Sequence, residues 1–347
     1  MRCGGGGVAT PVYFCLPYLT LSMTCEKIGD ALKSAVAEPC EYHHALLTGD
    51  HIWLFGQKFV NQPSHNWGHR VALAGTYGVA FNLANNKWEE PHNFPALSQE
   101  ENVSEILFVL NNAVYILLFS AFGELSMKSV HKWSGKSWES VKLESFPTIA
   151  GADPAERVTM AVAEGPHADS RYLVSTVGRQ IRVAHLKLSG DSMAITHVLD
   201  VPDDAAMMGA QAVSAVETGD RLLISYGVHG CGFRWEKNRF ILCEPSQKKC
   251  TALQITSEAA PKWGFNGAMN RYLSPSGAWV HVGGSVPSGM TGSSFDGSVW
   301  ALTNLGSNPT WHQLQGSIPS EGNVVIGSGR IVSVDQNGVH SMQLKEN

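Results

Sequence analysis

The stretch that decides the fold runs from residue 278 to residue 315. It reads AWVHVGG (278–284), a long loop, SVWALTN (298–304), a turn at GSNP, and TWHQLQ (310–315). Apolar residues alternate with polar ones inside each run, and Gly, Asn and Pro stand between the runs. This pattern is typical of antiparallel β-strands joined by turns.

The same arrangement recurs four times before this stretch, which makes residues 278–315 part of a fifth unit. The central runs of units 1 to 4 begin with HIWLFG at His51, AVYILLF at Ala113, RYLVSTVG at Arg171 and RLLISYG at Arg221. One more apolar run opens each of the five units: HALLTG, EILFVL, VTMAVA, QAVSAV and FNGAMN. The sequence therefore predicts four strands per unit, which is the content of one propeller blade.

Proline marks the period of the repeat. It closes the strand pattern at Pro39, Pro95, Pro147, Pro202, Pro261 and Pro319, at intervals of 52 to 59 residues. A period of this size is a complete supersecondary unit, and near 50 residues it indicates a propeller blade.

The two ends of the chain complete the scheme. After Pro319 there is room for three strands, NVVIG, RIVSVD and VHSMQL, and one unpaired strand, TCEKIGDAL, starts at Thr24. Pairing that strand with the C-terminal three makes a sixth blade and removes two exposed sheet edges. We predict an all-β, six-bladed propeller over residues 24–347, closed by an N-terminal strand, after a leader over residues 1–23.

These residues resemble the kelch-type β-propeller family. Gly283-Gly284 ends a hydrophobic strand, and a Trp opens the outer strand at Trp88, Trp138 and Trp311. Only unit 5 has the double glycine, and units 3 and 4 lack the Trp. The resemblance implies a kelch repeat fold, and it transfers the fold better than any binding specificity.

Composition excludes several classes of protein. The 347 residues have a net charge of −5 with no basic stripe, which argues against a nucleic-acid partner. No apolar stretch is long enough for a membrane span. Residues 1–23 read as a disordered extension. A signal peptide is the alternative, and it is the less favoured one because Pro11 and Pro17 interrupt the apolar run. We therefore expect a cytoplasmic protein, with secretion as the alternative.

The seven cysteines and fourteen histidines do not define a metal site. His65 and His69 lie in a segment that reads as loop, and the three or four ligands that zinc needs are not near them. Cys243 and Cys250 flank the turn EPSQKK, where a cross-strand disulfide is geometrically feasible. The plainer interpretation is that both are small apolar residues in strands. We predict no metal and no cofactor.

Nucleophile motifs and nucleotide-binding loops are absent from the sequence, so no catalytic residue is predicted. The loops between second and third strands should gather at one end of the propeller and form a binding face. The face would combine aromatic, basic and His side chains: Trp67, His69, Arg70, Phe122, Arg179, His229, Arg234 and Trp235. Trp and Arg are frequent energetic centres of protein contacts.

Two functions fit such a face. The first is a non-enzymatic adaptor or recognition module that binds a protein or peptide. The alternative is a secreted propeller enzyme or lectin acting on carbohydrate, with Trp67, Trp235 and Trp263 as stacking platforms. The enzyme link rests on fold analogy, because no catalytic residues of propeller enzymes map onto the chain.

Overall fold

The computed structural model describes a chain built from β-strands, with one 3₁₀ turn at Pro245–Gln247 and no α-helix among the described residues. The described residues are 20–21, 25–31, 41–62, 70–94, 103–144, 146, 149–150, 158–163, 168–177, 180–201, 210–218, 221–228, 239–255, 261, 271–273, 277–283, 285–288, 292–305, 308–319, 323–327, 329–335 and 337–345. The prediction of an all-β protein is confirmed.

The strands follow the predicted units. Two short strands come first, β1 (Thr20–Leu21) and β2 (Glu26–Gly29). Unit 1 contains β3 (Glu41–Thr48), β4 (His51–Gln62), β5 (Arg70–Asn82), β6 (Lys87–Trp88) and β7 (His92–Phe94). Unit 2 contains β8 (Val103–Leu110), β9 (Ala113–Ser120), β10 (Glu124–Leu125), β11 (Met127–Trp133) and β12 (Trp138–Glu144), followed by β13 (Ile149–Ala150). Unit 3 contains β14 (Val158–Val162), β15 (Ser170–Val177), β16 (Gln180–Ser189) and β17 (Ser192–Val201).

The second half is built in the same way. Unit 4 contains β18 (Ala210–Thr218), β19 (Arg221–Val228), β20 (Arg239–Glu244) and β21 (Lys249–Ala252). Unit 5 contains β22 (Arg271–Leu273), β23 (Trp279–Val282), β24 (Ser285–Ser288), β25 (Gly292–Phe295), β26 (Ser298–Thr303) and β27 (Thr310–Ser317). Unit 6 contains β28 (Asn323–Gly327), β29 (Arg330–Asp335) and β30 (Gly338–Lys345), to which β2 and β1 are added.

Each sheet buries both faces, because its second strand is apolar at successive positions. In β23, Trp279 packs on unit 4, whereas Val280 and Val282 pack on unit 6. Apolar cores of this kind lie between units 1 and 2, 2 and 3, 3 and 4, 4 and 5, 5 and 6, and 6 and 1. The first strands follow the same order: β3, β8, β14, β18, β22 and β28 each contact the next, and β28 contacts β3.

The segment after Met23 pairs with the last strand, as predicted. Glu26 lies opposite Ser341 and Lys27 opposite His340, both antiparallel. Thr20 also pairs with Lys345, although residues 1–23 were predicted to be a leader. Gly338 allows the close approach of β2. Its φ is +143°, and a Cβ there would lie 2.5 Å from the Gly29 carbonyl oxygen.

Units 2 and 3 are not separate sheets, which differs from the prediction. Their outer strands β12 and β17 pair in parallel, with Lys142 opposite Ser192 and Glu144 opposite Ala194. The result is one sheet of eight strands. Turn and strand patterns in a sequence predict pairing between strands that follow each other along the chain. They do not predict a parallel ladder between two outer strands of different units.

Two segments predicted to be long loops contain paired strands. In unit 1, β4 and β5 continue their ladder through residues 55–78 as far as Gln62 and Arg70. In unit 5, β24 and β25 form a hairpin inside the segment 283–297. The first described strand of unit 5 is β22, whereas the predicted run FNGAMN lies outside the described residues.

Cys243 and Cys250 form a disulfide, so the plainer interpretation of these two residues was wrong. They lie directly opposite each other on β20 and β21, and their Cα atoms are 4.0 Å apart. Cys243 is fully buried in the core shared by units 3 and 4, and Cys250 packs against that core. None of the described residues forms a helix of the length and apolar character that a membrane span requires.

Candidate functional site

One end of the units collects the connections between second and third strands, because the strands of each unit run antiparallel. The starts of the first strands and the ends of the fourth strands lie at the same end. We call this the loop end. Of the eight residues predicted to form a binding face there, Phe122 is the one whose side chain the structure describes.

Phe122 lies in the connection between β9 and β11, and a network of backbone hydrogen bonds fixes this connection. The Ser120 N–H donates to the Ser126 carbonyl at 2.9 Å, and the Glu124 N–H donates to the Phe122 carbonyl at 2.9 Å. The Ser120 hydroxyl donates to the Glu124 carbonyl and accepts from the Ser126 N–H. The polar residues of this loop therefore satisfy its own backbone, which restricts the positions that Phe122 can take.

Contacts with unit 3 anchor the same loop. The Val158 N–H donates to the Ala121 carbonyl at 2.8 Å, and β10 pairs with β13. The Leu125 side chain is fully buried against Val158 and Val177. An apolar anchor of this size contributes about 2 kcal/mol of burial free energy. The loop is thus attached to two units at once.

The Phe122 side chain points outward from this fixed frame. It is 45% exposed, and it is the one large hydrophobic side chain that is exposed among the described residues. A ring held on a well-fixed loop is pre-positioned, so it loses little conformational freedom when a partner binds. The electron-rich face of an aromatic ring attracts the slightly positive C–H groups of a stacked ligand.

The other seven predicted face residues add no described side chain to the site around Phe122. Trp67, His69, Arg179, His229, Arg234 and Trp235 lie outside the described residues, and so does Trp263 of the alternative interpretation. Arg70 begins β5, where its backbone pairs with Gln62. Whether these residues share a face with Phe122 stays a prediction.

The tryptophans of the outer strands are structural. Trp138 packs with Phe55 and Trp133 between units 1 and 2, and Trp311 packs with Phe240 and Trp279 between units 4 and 5. Trp88 stacks edge-on against Phe81, and its indole N–H donates to the Asp30 carbonyl at 3.0 Å. These aromatic side chains are used for packing between units.

In the part of the chain that the structure describes, the two tyrosines with a raised pKa do not lie beside Phe122. Burial raises the pKa of Tyr115 inside unit 2. Burial also raises the pKa of Tyr172, and the charge of Glu217 adds to that effect. Tyr172 lies near the start of the second strand of unit 3, and Glu217 lies near the end of the first strand of unit 4. Both therefore lie away from the loop end.

Two carboxylates of unit 2 lie toward its loop end. Glu105 is on the first strand of unit 2, and Glu124 is exposed two residues after Phe122. In the part of the chain that the structure describes, no three His, Cys, Asp or Glu side chains are grouped as a metal site would require. The described loop end can therefore offer an aromatic surface and hydrogen-bonding oxygens.

Comparison with solved structures supports a β-propeller fold. One α-L-arabinofuranosidase structure from Fusarium graminearum, in complex with arabinobiose, matches with a TM-score of 0.55 and 11% identity, over 92% of this chain and 96% of that one. A second arabinofuranosidase structure from that organism, with an iminosugar inhibitor, matches with a TM-score of 0.52 and 11% identity, over 88% and 93%. The β-propeller domain of the Trilobed protease from Pyrococcus furiosus has a TM-score of 0.41 and 10% identity, over 89% and 85%.

Comparisons at the level of sequence give no relatives. No family model matches the chain. No curated protein matches it either. The kelch resemblance of the sequence is therefore supported as far as a β-propeller and no further.

The prediction of a non-enzymatic protein-binding adaptor is contradicted. The two structures reported above with TM-scores over 0.5 are α-L-arabinofuranosidases, which act on carbohydrate, and neither is an adaptor. The adaptor prediction came from residue types, since Trp and Arg serve both kinds of site. What sequence reasoning missed at the described site is the bracing of the Phe122 loop. The sequence features that could have indicated these hydrogen bonds are the serines Ser120 and Ser126 and the glycine Gly123, whose φ is +76°.

Proposed function

We propose that this chain is a six-bladed β-propeller that binds a sugar chain at its loop end. Six blades are supported by the closed sequence of contacts from β3 through β28 and back to β3. The apolar core between each pair of neighbouring units supports the same arrangement. A kelch-type blade is the finer part of this proposal, and it rests on the outer-strand tryptophans and on the glycine pair at 283–284.

The observation that carries the sugar-binding proposal is the exposed Phe122 on its braced loop. One side of a sugar ring consists of C–H groups, and such a surface stacks on an aromatic ring while its hydroxyls bind polar groups nearby. The fold shared with α-L-arabinofuranosidases adds to this argument. Those enzymes act on arabinosides, which makes arabino-oligosaccharides the first ligands to try.

Isothermal titration with arabinobiose and longer arabino-oligosaccharides, followed by soluble arabinan, galactan and xylan, tests the proposal. We expect wild-type protein to bind at least one of them. Phe122→Ala should weaken binding about tenfold, because an aromatic contact is worth about 1.5 kcal/mol. Phe122→Tyr keeps the aromatic surface and serves as the matched control. Equal affinities for wild type and Phe122→Ala, or no binding across the panel, would overturn the proposal.

Binding and cleavage can be separated in the same experiment. Glycoside hydrolysis usually requires two carboxyl groups near the scissile bond. Release of reducing ends from a bound polysaccharide would identify an enzyme, and Glu105→Gln and Glu124→Gln would then test two carboxylates of unit 2 that lie toward the loop end. Binding without release would identify a lectin.

We also propose that the protein is secreted, and this replaces the cytoplasmic expectation. The disulfide between Cys243 and Cys250 supports it, since structural disulfides persist in oxidising compartments and are rare in the cytosol. Peptide mapping of protein from its native source under non-reducing conditions should recover the linked pair. Recovery of two free thiols would argue for the cytoplasm.

A further inference from the structure

A β-bulge in unit 3 places two polar side chains on one face of the sheet. Residues 197 and 200 of a regular strand would point to opposite faces, because side chains alternate. In β17 the register against β16 shifts at Val198, which is an extra residue between His197 and Leu199. Both Val198 and Leu199 pack on the core shared with unit 4. His197 and Asp200 therefore both face unit 2.

Asp200 connects this pair to the neighbouring strand. Its Oδ1 lies 3.2 Å from His197 Nε2 and 3.3 Å from Arg182 Nε. Arg182 Nη2 donates to Gln180 Oε1 at 2.6 Å. The Asp200 side chain is 64% exposed and that of His197 is 43% exposed, so solvent reaches both. Bulges are frequent beside functional sites because they redirect side chains in this way.

The strand register relates this cluster to Phe122. The Val158 N–H donates to the carbonyl of Ala121, the residue before Phe122. Val158 pairs with Val177, and Val177 pairs with Gln180. Since neighbouring strands are about 4.8 Å apart, Gln180 lies roughly 10 Å from Val158 along the same rung. Val177 packs on Leu125 of unit 2, so Gln180 opposite it lies on the same face as the Phe122 loop.

The chemistry of the cluster fits a neutral, hydroxyl-rich ligand. Arg182 and Asp200 have opposite charges and pair with each other, so the two charges offset each other and favour no ionic ligand. The cluster combines N–H donors from Arg182 and Gln180 with acceptors from Asp200. A sugar hydroxyl both donates and accepts, so it can use the two kinds of group at once.

We propose that Gln180, Arg182, His197 and Asp200 form a second subsite, which holds the distal rings of a neutral sugar chain whose proximal ring stacks on Phe122. The site would make affinity depend on chain length. This inference rests on the proposed function, because it assumes that Phe122 binds a sugar.

Titration of wild type and variants with arabinobiose and a longer arabino-oligosaccharide tests the inference. If the panel above identifies another sugar, its shortest bound and longer oligosaccharides replace these two. Wild type should bind the longer chain about tenfold more tightly than the short one. Asp200→Asn should remove that gain and leave the affinity for the short chain unchanged, whereas Phe122→Ala should weaken both. Asp191→Asn, an exposed carboxylate in the β16–β17 turn at the opposite end, is the matched control and should behave as wild type.

The outcomes separate the two proposals. If the short chain binds but Asp200→Asn keeps the gain in affinity, the second subsite is excluded and the Phe122 site stands. A wild type with equal affinity for both lengths excludes it as well. If wild type binds no sugar, both proposals fall. Gln180→Ala provides an independent variant if Asp200→Asn unfolds.

Discussion

Units 2 and 3 meet through two outer strands that pair with each other, whereas units 6 and 1 meet through side-chain packing beside β2, a strand that pairs with unit 6 alone. At the first junction, the outer strands share a short parallel ladder at residues 142–144, and the Phe122 loop is attached to both units. At the second, the short strand β2 is added to the edge of unit 6. The first junction carries the surface that we propose binds sugar, and the second holds the two ends of the chain together.

This difference suggests a division of roles. The junction of units 2 and 3 has buried anchors close to an exposed aromatic side chain, so a change there should alter both stability and ligand binding. The pairing of the chain ends, which we call the closure, depends on the close approach of β2 to Gly338. It also depends on the hydrogen bond from the Trp88 indole N–H to the Asp30 carbonyl. A change there should alter stability and leave the loop end intact.

The largest effect is expected from Gly338→Ala. The new Cβ would lie 2.5 Å from the Gly29 carbonyl oxygen at a φ of +143°, so β2 must move away. We expect a loss of about 4 kcal/mol in the free energy of unfolding, measured by denaturant titration. Gly49→Ala is the control, because φ is +55° there but nothing lies within 4 Å, and it should cost about 1 kcal/mol. Equal costs would show that β2 does not dock as described.

Leu125→Ala should have the next largest effect. It removes a fully buried anchor between the Phe122 loop and unit 3, which should cost about 3 kcal/mol of unfolding free energy. Sugar affinity should fall as well, because Phe122 loses its fixed position. Leu125→Met conserves volume and should retain both properties. A Leu125→Ala protein with wild-type affinity would contradict the role of this anchor.

Trp88→Phe should weaken the closure by a smaller amount. The substitution keeps an aromatic contact with Phe81 and removes the hydrogen bond to the Asp30 carbonyl. The expected cost is about 1 kcal/mol, measured by thermal unfolding. Sugar affinity below the melting temperature should not change. A change in affinity would show that the two junctions are coupled.

The smallest effect is a change in the reactivity of Cys25. Burial, with a further contribution from the Asp335 carboxylate, raises the pKa of the Cys25 thiol, so less of the reactive thiolate is present at neutral pH. Maleimide labelling read by peptide mapping at Cys25 should be slow in wild type and faster in Gly338→Ala. Leu125→Ala should leave it slow. Fast labelling of wild type would mean that the closure is open in solution.

The sequence alone determined the strand content and the pairing of the chain ends. Alternation of apolar residues is a local signal, and runs such as AWVHVGG specify strands wherever they lie. The predicted strand after Met23 had no neighbouring strand to pair with, and three strands remained at the other end, so the pairing of the two ends followed from counting strands. The units could be located because each carries its own turns.

Only the tertiary structure decided the contacts between units on which the proposed site depends. The parallel ladder between β12 and β17 depends on how two sheets twist past each other, and local periodicity contains no information on that. The position of the Phe122 loop depends on the burial of Leu125 against Val158 and Val177 of unit 3. The bulge at Val198 has no sequence marker, because an extra residue is visible only against its partner strand. Strand pattern is encoded residue by residue, whereas a binding surface is produced by packing between distant segments.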